Sequence, residues 1–274
     1  MTVGRVTAVA WPRQEALAAG LADAADRAGG FPGIGELPAD RPIRVVLAPD
    51  RARFDSLTRG SLPPWTTGAA VPAAGLIVLL ADGAPDRVAG NLRHELAHLA
   101  LRWRVGRPVP RWLDEGYAAF AAGEWTRLEA LRLNVTIARG RRMTLDEVDR
   151  ALRGDRGDAA AAYGLATTAV LLLRRWGGDD GLRRLFEALA GGAGFDAAVR
   201  TTYYLTEADF EERWQKDVAS RYGWLAGATA AAFAWALLGL IVAALALLRR
   251  RRDAERRARL DAVPWGGPPD EPNA

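Results

Sequence analysis

The chain has only two histidines, and they stand four residues apart in His94-Glu95-Leu96-Ala97-His98. On a helix, positions i and i+4 share a face, so both imidazoles can reach one point. A divalent metal needs that convergence: zinc takes nitrogen and carboxylate donors at about 2 Å. With no cysteine present, a zinc site here has to be built from His, Asp or Glu. Glu95 lies one step round the helix from His94, where it can take a proton from water without being a ligand. Zinc lowers the pKa of a bound water toward 7, so such a site works near neutral pH. A third ligand follows in Pro110-Arg111-Trp112-Leu113-Asp114-Glu115-Gly116-Tyr117-Ala118. It is Glu115, early in the next expected helix. Two His and one Glu leave a fourth position open for water or substrate, as catalytic zinc requires.

The elements around these residues follow from periodicity and punctuation. Val88, Leu92, Leu96, Leu99 and Trp103 form one apolar stripe at helical spacing. Both histidines fall roughly opposite it, so the helix has one side for the core and another for a cleft. The next helix should begin at Pro110 or Arg111, and Ala118, Ala119 and Ala122 share the face of Glu115. Upstream, Gln14–Ala28 reads as an Ala-rich helix, and Asp50 as the cap of a short helix through Thr58. Ile43–Ala48 and Leu76–Leu80 are short, apolar, β-branched runs and read as strands. The stretch Gly60–Pro72, rich in Gly, Pro and Thr, reads as a loop. Downstream, Thr144 and Glu147 match a capping box, and 159–176, 179–190 and 207–222 read as helices. Strands come first and helices after, so the class is α+β, with a small N-terminal sheet lobe followed by a helical lobe.

His94-Glu95-Leu96-Ala97-His98 followed by Arg111-Trp112-Leu113-Asp114-Glu115-Gly116-Tyr117-Ala118 resembles the metal-binding core of the gluzincins, the peptidase MA group. The likeness is closest to small bacterial peptidase MA-like domains, in which a Trp-Leu-x-Glu-Gly segment follows the HExxH helix. It is specific over residues 87–123 and weaker from Ile43 to Trp214. The resemblance implies a zincin fold with the HExxH helix on the floor of a cleft. It implies His94, His98 and Glu115 as zinc ligands, Glu95 as catalytic base and a peptide or protein as substrate. It also implies an edge strand along which an extended substrate pairs, for which Leu76–Leu80 is the candidate. The Gly-x-Met-x-Asn motif of the aminopeptidases in this group is absent; the strand region reads Ala73-Ala74-Gly75-Leu76-Ile77. Endopeptidase action is therefore expected. With no third histidine to steady an oxyanion, Tyr163 is the candidate for that role, since related domains often carry a Tyr at the start of such a helix. Asp114 is either a partner of one imidazole or a carboxylate favoured by the helix dipole. Asn91 could also line the cleft.

Composition sets the setting. The net charge is +4, carried almost wholly by scattered arginines. A scatter makes no electrostatic footprint, so no nucleic-acid partner is expected. The segment from Leu225 to Leu248 has 24 residues without a charge. At 1.5 Å per residue it is long enough for a hydrocarbon core of about 30 Å. Trp224 flanks it on one side and Arg249–Arg252 on the other. The expected organisation is a peptidase domain over 1–223, a single transmembrane helix over 224–248 and a basic, Pro- and Gly-rich disordered tail over 249–274. The positive-inside rule puts the tail in the cytoplasm and the domain outside the cell membrane. Export needs a signal, and Met1–Ala10 lacks the pattern of one. A truncated or misassigned N-terminus resolves the conflict; a tail-anchored chain with a cytoplasmic domain is the alternative. The competing functional readings are a weakly catalytic zincin domain that binds peptides or a partner, and an envelope scaffold.

Overall fold

The structure, a computed structural model, describes residues 1–60, 62–124 and 143–222 and scattered positions between 235 and 254. The chain divides into two units, Met1–Trp224 and Leu225–Ala274. In the first, five strands form one mixed sheet: β1 (Thr2–Val3), β2 (Val6–Val9), β3 (Ile43–Ala48), β4 (Gly68–Val71) and β5 (Leu76–Leu80), in the order β1-β2-β3-β5-β4. β2, β3 and β5 run parallel, while β1 and β4 are antiparallel outer strands. The helices are α1 (Glu15–Asp26), α2 (Arg51–Leu57), α3 (Pro85–Val105), α4 (Arg111–Ala122), α5 (Leu145–Ala151), α6 (Arg156–Ala190), α7 (Phe195–Tyr203) and α8 (Glu207–Tyr222).

Parallel strands covered on both faces read as continuous apolar runs rather than as alternations. β3 and β5 follow that rule. Val45, Leu47, Ile77 and Leu79 join the main core with α1 and α3, while Ala48, Val78 and Leu80 meet Phe54 of α2 on the other face. The cap of α2 is as expected, with the Asp50 carboxylate accepting from the Arg53 N–H at 2.8 Å. Three strands differ from the sequence reading. β1 and β2 lie in Met1–Ala10, to which the sequence reading assigns no element, and β4 lies in the stretch 60–72 read as a loop. β4 therefore displaces Leu76–Leu80 as the outer strand: β5 is enclosed between β3 and β4. The physical reason is composition. Gly68-Ala69-Ala70-Val71 has little intrinsic strand preference and is a strand through its ladder with β5.

α3 begins with Pro85 in its first turn, where a missing N–H costs nothing, and ends at Gly106, whose φ of 76° suits the left-handed cap. Val88, Leu92, Leu96 and Leu99 are buried as their spacing predicts. Ala97, Ala100, Leu101 and Val105 are buried too, because α4 and α6 also pack on this helix. α4 has no cap of its own at Pro110. Its first N–H groups are satisfied from another helix: the Asp149 carboxylate of α5 accepts from Arg111 at 3.2 Å and Trp112 at 2.5 Å. α5 is itself fixed by the expected Thr144–Glu147 capping box and by Glu211 of α8, which accepts from the Leu145 N–H. Trp112 then packs against both Phe195 and Phe210, which also touch each other. The start of α4 is thereby set in position and angle.

The separate helices expected over 159–176 and 179–190 form one run, α6, broken at Gly178 (φ 64°, ψ −163°). α7 was not foreseen. α6 crosses α4 at Gly116, where a Cβ would lie 2.4 Å from the Ala166 carbonyl oxygen. That neighbour is helix backbone and cannot swing away. Gly116→Val is therefore expected to cost about 1–3 kcal/mol or more, measured as a lowered urea midpoint, and an unchanged midpoint would contradict this packing.

The apolar span expected over 224–248 lies largely outside the described residues. Among the described residues, no helix is long and apolar enough to cross a membrane. Those described between 235 and 247 are helical with exposed side chains, Trp235 and Leu240 among them. The tail over 249–274 lies almost wholly outside the described residues.

Candidate metal centre and cleft

α3 and α4 bring three donors to one point. Glu115 Oε2 lies 3.6 Å from His94 Nε2 and 3.5 Å from His98 Nε2, and the three donor atoms are all within 4.8 Å of one another. Ligands on a tetrahedral zinc at about 2.0–2.1 Å stand about 3.3 Å apart. The residues present thus fit the ion with little adjustment.

The outward ring nitrogens are also engaged. His98 Nδ1 lies 2.7 Å from Asp114 Oδ1, and His94 Nδ1 lies 3.0 Å from Glu124 Oε1. An ionised carboxylate can only accept, so Nδ1 carries a proton in both rings, which leaves Nε2, next to Glu115, as the nitrogen that would ligate a metal once its own proton is displaced. Of the two readings of Asp114, the imidazole partner is the one observed. Glu124 was missed. It follows Gly123, whose φ of 75° ends α4, and the Glu124 N–H returns to the Ala119 carbonyl. That turn carries its side chain back over α3, a path with no signature in spacing.

Glu95 is buried beneath β4. A Cβ at Gly68 would lie 2.4 Å from Glu95 Oε1, so only glycine lets the strand pass this close. Asn91 also faces the cleft and donates to Thr67 Oγ1 at 2.8 Å, tying the start of β4 to α3. Tyr163 lines the same cleft. It sits about two turns into α6 rather than at the helix start, beside the Glu115 carboxylate. Tyr117, by contrast, is a core residue whose hydroxyl donates to the Pro32 carbonyl. The cleft has a volume of about 340 Å³. Its walls are β4 and the 62–66 segment, with Trp65, on one side and α3, α4 and α6 on the other.

Electrostatics follow from this packing. Burial alone would lower both histidines, but the carboxylates outweigh it. Glu115 and Glu124 raise His94 to about 9, and Asp114 and Glu115 raise His98 well above its usual range. Glu115, which burial would raise, is held well below the carboxylate range by the two imidazoles. Burial pushes Glu95 up, against the pull of His98 and His94. Burial, together with the Glu115 charge, pushes the Tyr163 hydroxyl up, so it remains an O–H donor.

Two expectations arise here. A metal has to displace protons from His94 and His98, so its affinity should climb with pH between about 6.5 and 9. Because His94 is raised on folding, its stabilising share in the metal-free protein is full below 6.5 and is lost as pH passes 9. Calorimetry in buffers of different ionisation enthalpy should show close to two protons released per metal bound at pH 7; no release would contradict the assignment. Separately, Asp114→Ala and Glu124→Ala should each weaken metal binding by about 10–100-fold, read by competition with a chelator.

A helix presenting two histidines, a following helix presenting a glutamate and a sheet roofing the cleft define a zincin-like metallopeptidase domain. A family model described as the peptidase MA superfamily matches residues 58–220. The chain belongs to that superfamily. No curated protein matches the chain.

Proposed function

We propose that this chain is a zinc-dependent peptidase that cuts within peptide chains and is anchored to a membrane by residues 225–248. The observation that carries the reading is the convergence of His94, His98 and Glu115 beside the buried carboxylate of Glu95. Zinc held by these three residues would supply a Lewis acid for a scissile carbonyl and an acidified water. The chain's own groups do the rest. Among the described residues, no strand pairs with the outer edge of β4, and an extended peptide added there gains main-chain hydrogen bonds. Glu95 takes the proton of the attacking water and returns it to the leaving amine. The Tyr163 hydroxyl donates to the oxygen on which charge develops. Asp114 and Glu124 keep both imidazoles in the ligating tautomer.

Internal cleavage is favoured because β4 carries no motif for a free amino terminus: it reads Gly68-Ala69-Ala70-Val71-Pro72, without Met or Asn at the aminopeptidase positions. Anchoring is supported by the uncharged segment 225–248 with Trp224 before it and arginines after it. That arrangement puts 249–274 in the cytoplasm and the domain outside. The test is product mapping. The full chain in detergent, incubated with an unfolded protein substrate, should give internal cuts by mass spectrometry. Stepwise loss of terminal residues would overturn the endopeptidase reading, and no cleavage would overturn the peptidase reading. For topology, single cysteines placed on either side of 225–248 in this cysteine-free chain should label from opposite sides of the membrane. Labelling from one side would remove the anchor.

A further inference from the structure

The cleft is charged unevenly. The wall formed by 62–72 is apolar or neutral where it lines the cleft, whereas the opposite wall presents Arg102, Arg107 and Arg111. Among the described residues, the acidic side chains lining the same space are Glu95, Asp114 and Glu115, with Glu124 next to them on His94, and each has another task. With zinc bound, Glu95 and Glu115 cancel the ion's two charges, and Asp114 offsets one guanidinium. Counting Glu124, held on His94, against a second guanidinium still leaves these arginines with a net positive charge facing the substrate.

Internal contacts do not absorb them. Among the described residues, Arg102 and Arg107 have no carboxylate partner; Arg107 donates to the neutral Gly192 carbonyl at 2.8 Å. Arg111 lies 3.4 Å from Glu115 Oε1, a carboxylate shared with the metal site, and its Nε is buried without a partner. Arg102 sits in the last turn of α3, where the helix dipole favours a cation. That accounts for a basic residue at this one position but not for three on one wall. By contrast Arg104, two residues on, is paired with Glu187 away from the cleft.

Resting on the peptidase reading, we infer that this arginine wall selects peptides with aspartate or glutamate near the cleaved bond. A substrate carboxylate would meet guanidinium groups, which suit carboxylates in geometry as well as charge. A substrate lysine or arginine would meet like charge in a partly enclosed cleft, which costs more than it would in open solvent. Two partly exposed pairs give a preference of about tenfold or more.

The experiment uses the full zinc-loaded chain and quenched-fluorescence peptides with one Glu or one Lys scanned through the positions flanking the cleaved bond. Wild type should show a Glu-to-Lys ratio in kcat/KM of about ten or more at the best position, shrinking as salt is raised. Arg102→Glu with Arg107→Glu should bring the ratio to one or below. Arg102→Gln with Arg107→Gln, which keeps side-chain length and avoids a carboxylate at the end of α3, should reduce it several-fold. Zinc content and unfolding midpoint certify that each variant is folded. Cleavage without acidic preference, or a preference both double variants retain, overturns the inference and leaves the peptidase standing. Fluorescence anisotropy of the same peptides on Glu95→Gln separates the other failure. Tighter binding of Glu peptides without any wild-type cleavage sustains the arginine wall and removes the peptidase; equal binding of Glu and Lys peptides with no cleavage removes both.

Discussion

Glu95→Gln is expected to lower kcat by about 10²–10⁴-fold while leaving zinc content and fold unchanged. Gln has the shape of Glu, so the close passage beneath Gly68 is kept. It is not a ligand, so His94, His98 and Glu115 still hold the ion. What it cannot do is accept a proton. Burial already pushes the Glu95 carboxyl up, toward the range where a base exchanges protons most readily at neutral pH. The check is a steady-state assay beside metal analysis on one preparation. A variant that keeps wild-type turnover would remove Glu95 from the chemistry; one that loses zinc would make it a structural residue of the site.

The second large effect is on the metal. Glu115→Gln should weaken zinc binding by at least about 100-fold, since outer partners alone are worth about 10–100-fold. Its Oε2 is the atom both imidazoles approach, and a neutral amide is a poor zinc donor. The same change removes a counter-charge from His94 and His98, so both should titrate lower in the metal-free variant. The raised value of about 9 at His94 should fall, visible in the ring-proton resonances of a chain with only two histidines. Unchanged zinc affinity would mean that the third ligand lies elsewhere.

How much of this was legible beforehand differs by residue, for physical reasons. His94 and His98 could be found because chelation constrains residue type and helical spacing, and Glu115 because a third carboxylate donor follows early in the next helix. Asp50, Thr144 and Glu147 could be found because caps are local. Glu124 and Gly68 could not. Glu124 reaches His94 through a turn at Gly123, and Gly68 matters only because β4 crosses above Glu95; both depend on tertiary placement. β4 itself, made of Gly and Ala, owes its conformation to β5 rather than to its own preference. Asp149 is a cap supplied by another helix, which no reading of the residues around Pro110 can supply. The Leu76–Leu80 misplacement follows from the same blindness: an apolar run announces a strand, not its rank in the sheet.

A metal ion at His94, His98 and Glu115 is proposed to drive the hydrolysis. The most direct measurement is zinc content with peptidase activity on the purified full chain, before and after chelation. One zinc per chain is expected, with both metal and activity lost on chelation and both recovered when zinc is returned. A folded chain without stoichiometric metal, or activity that survives complete removal of the metal, would contradict it.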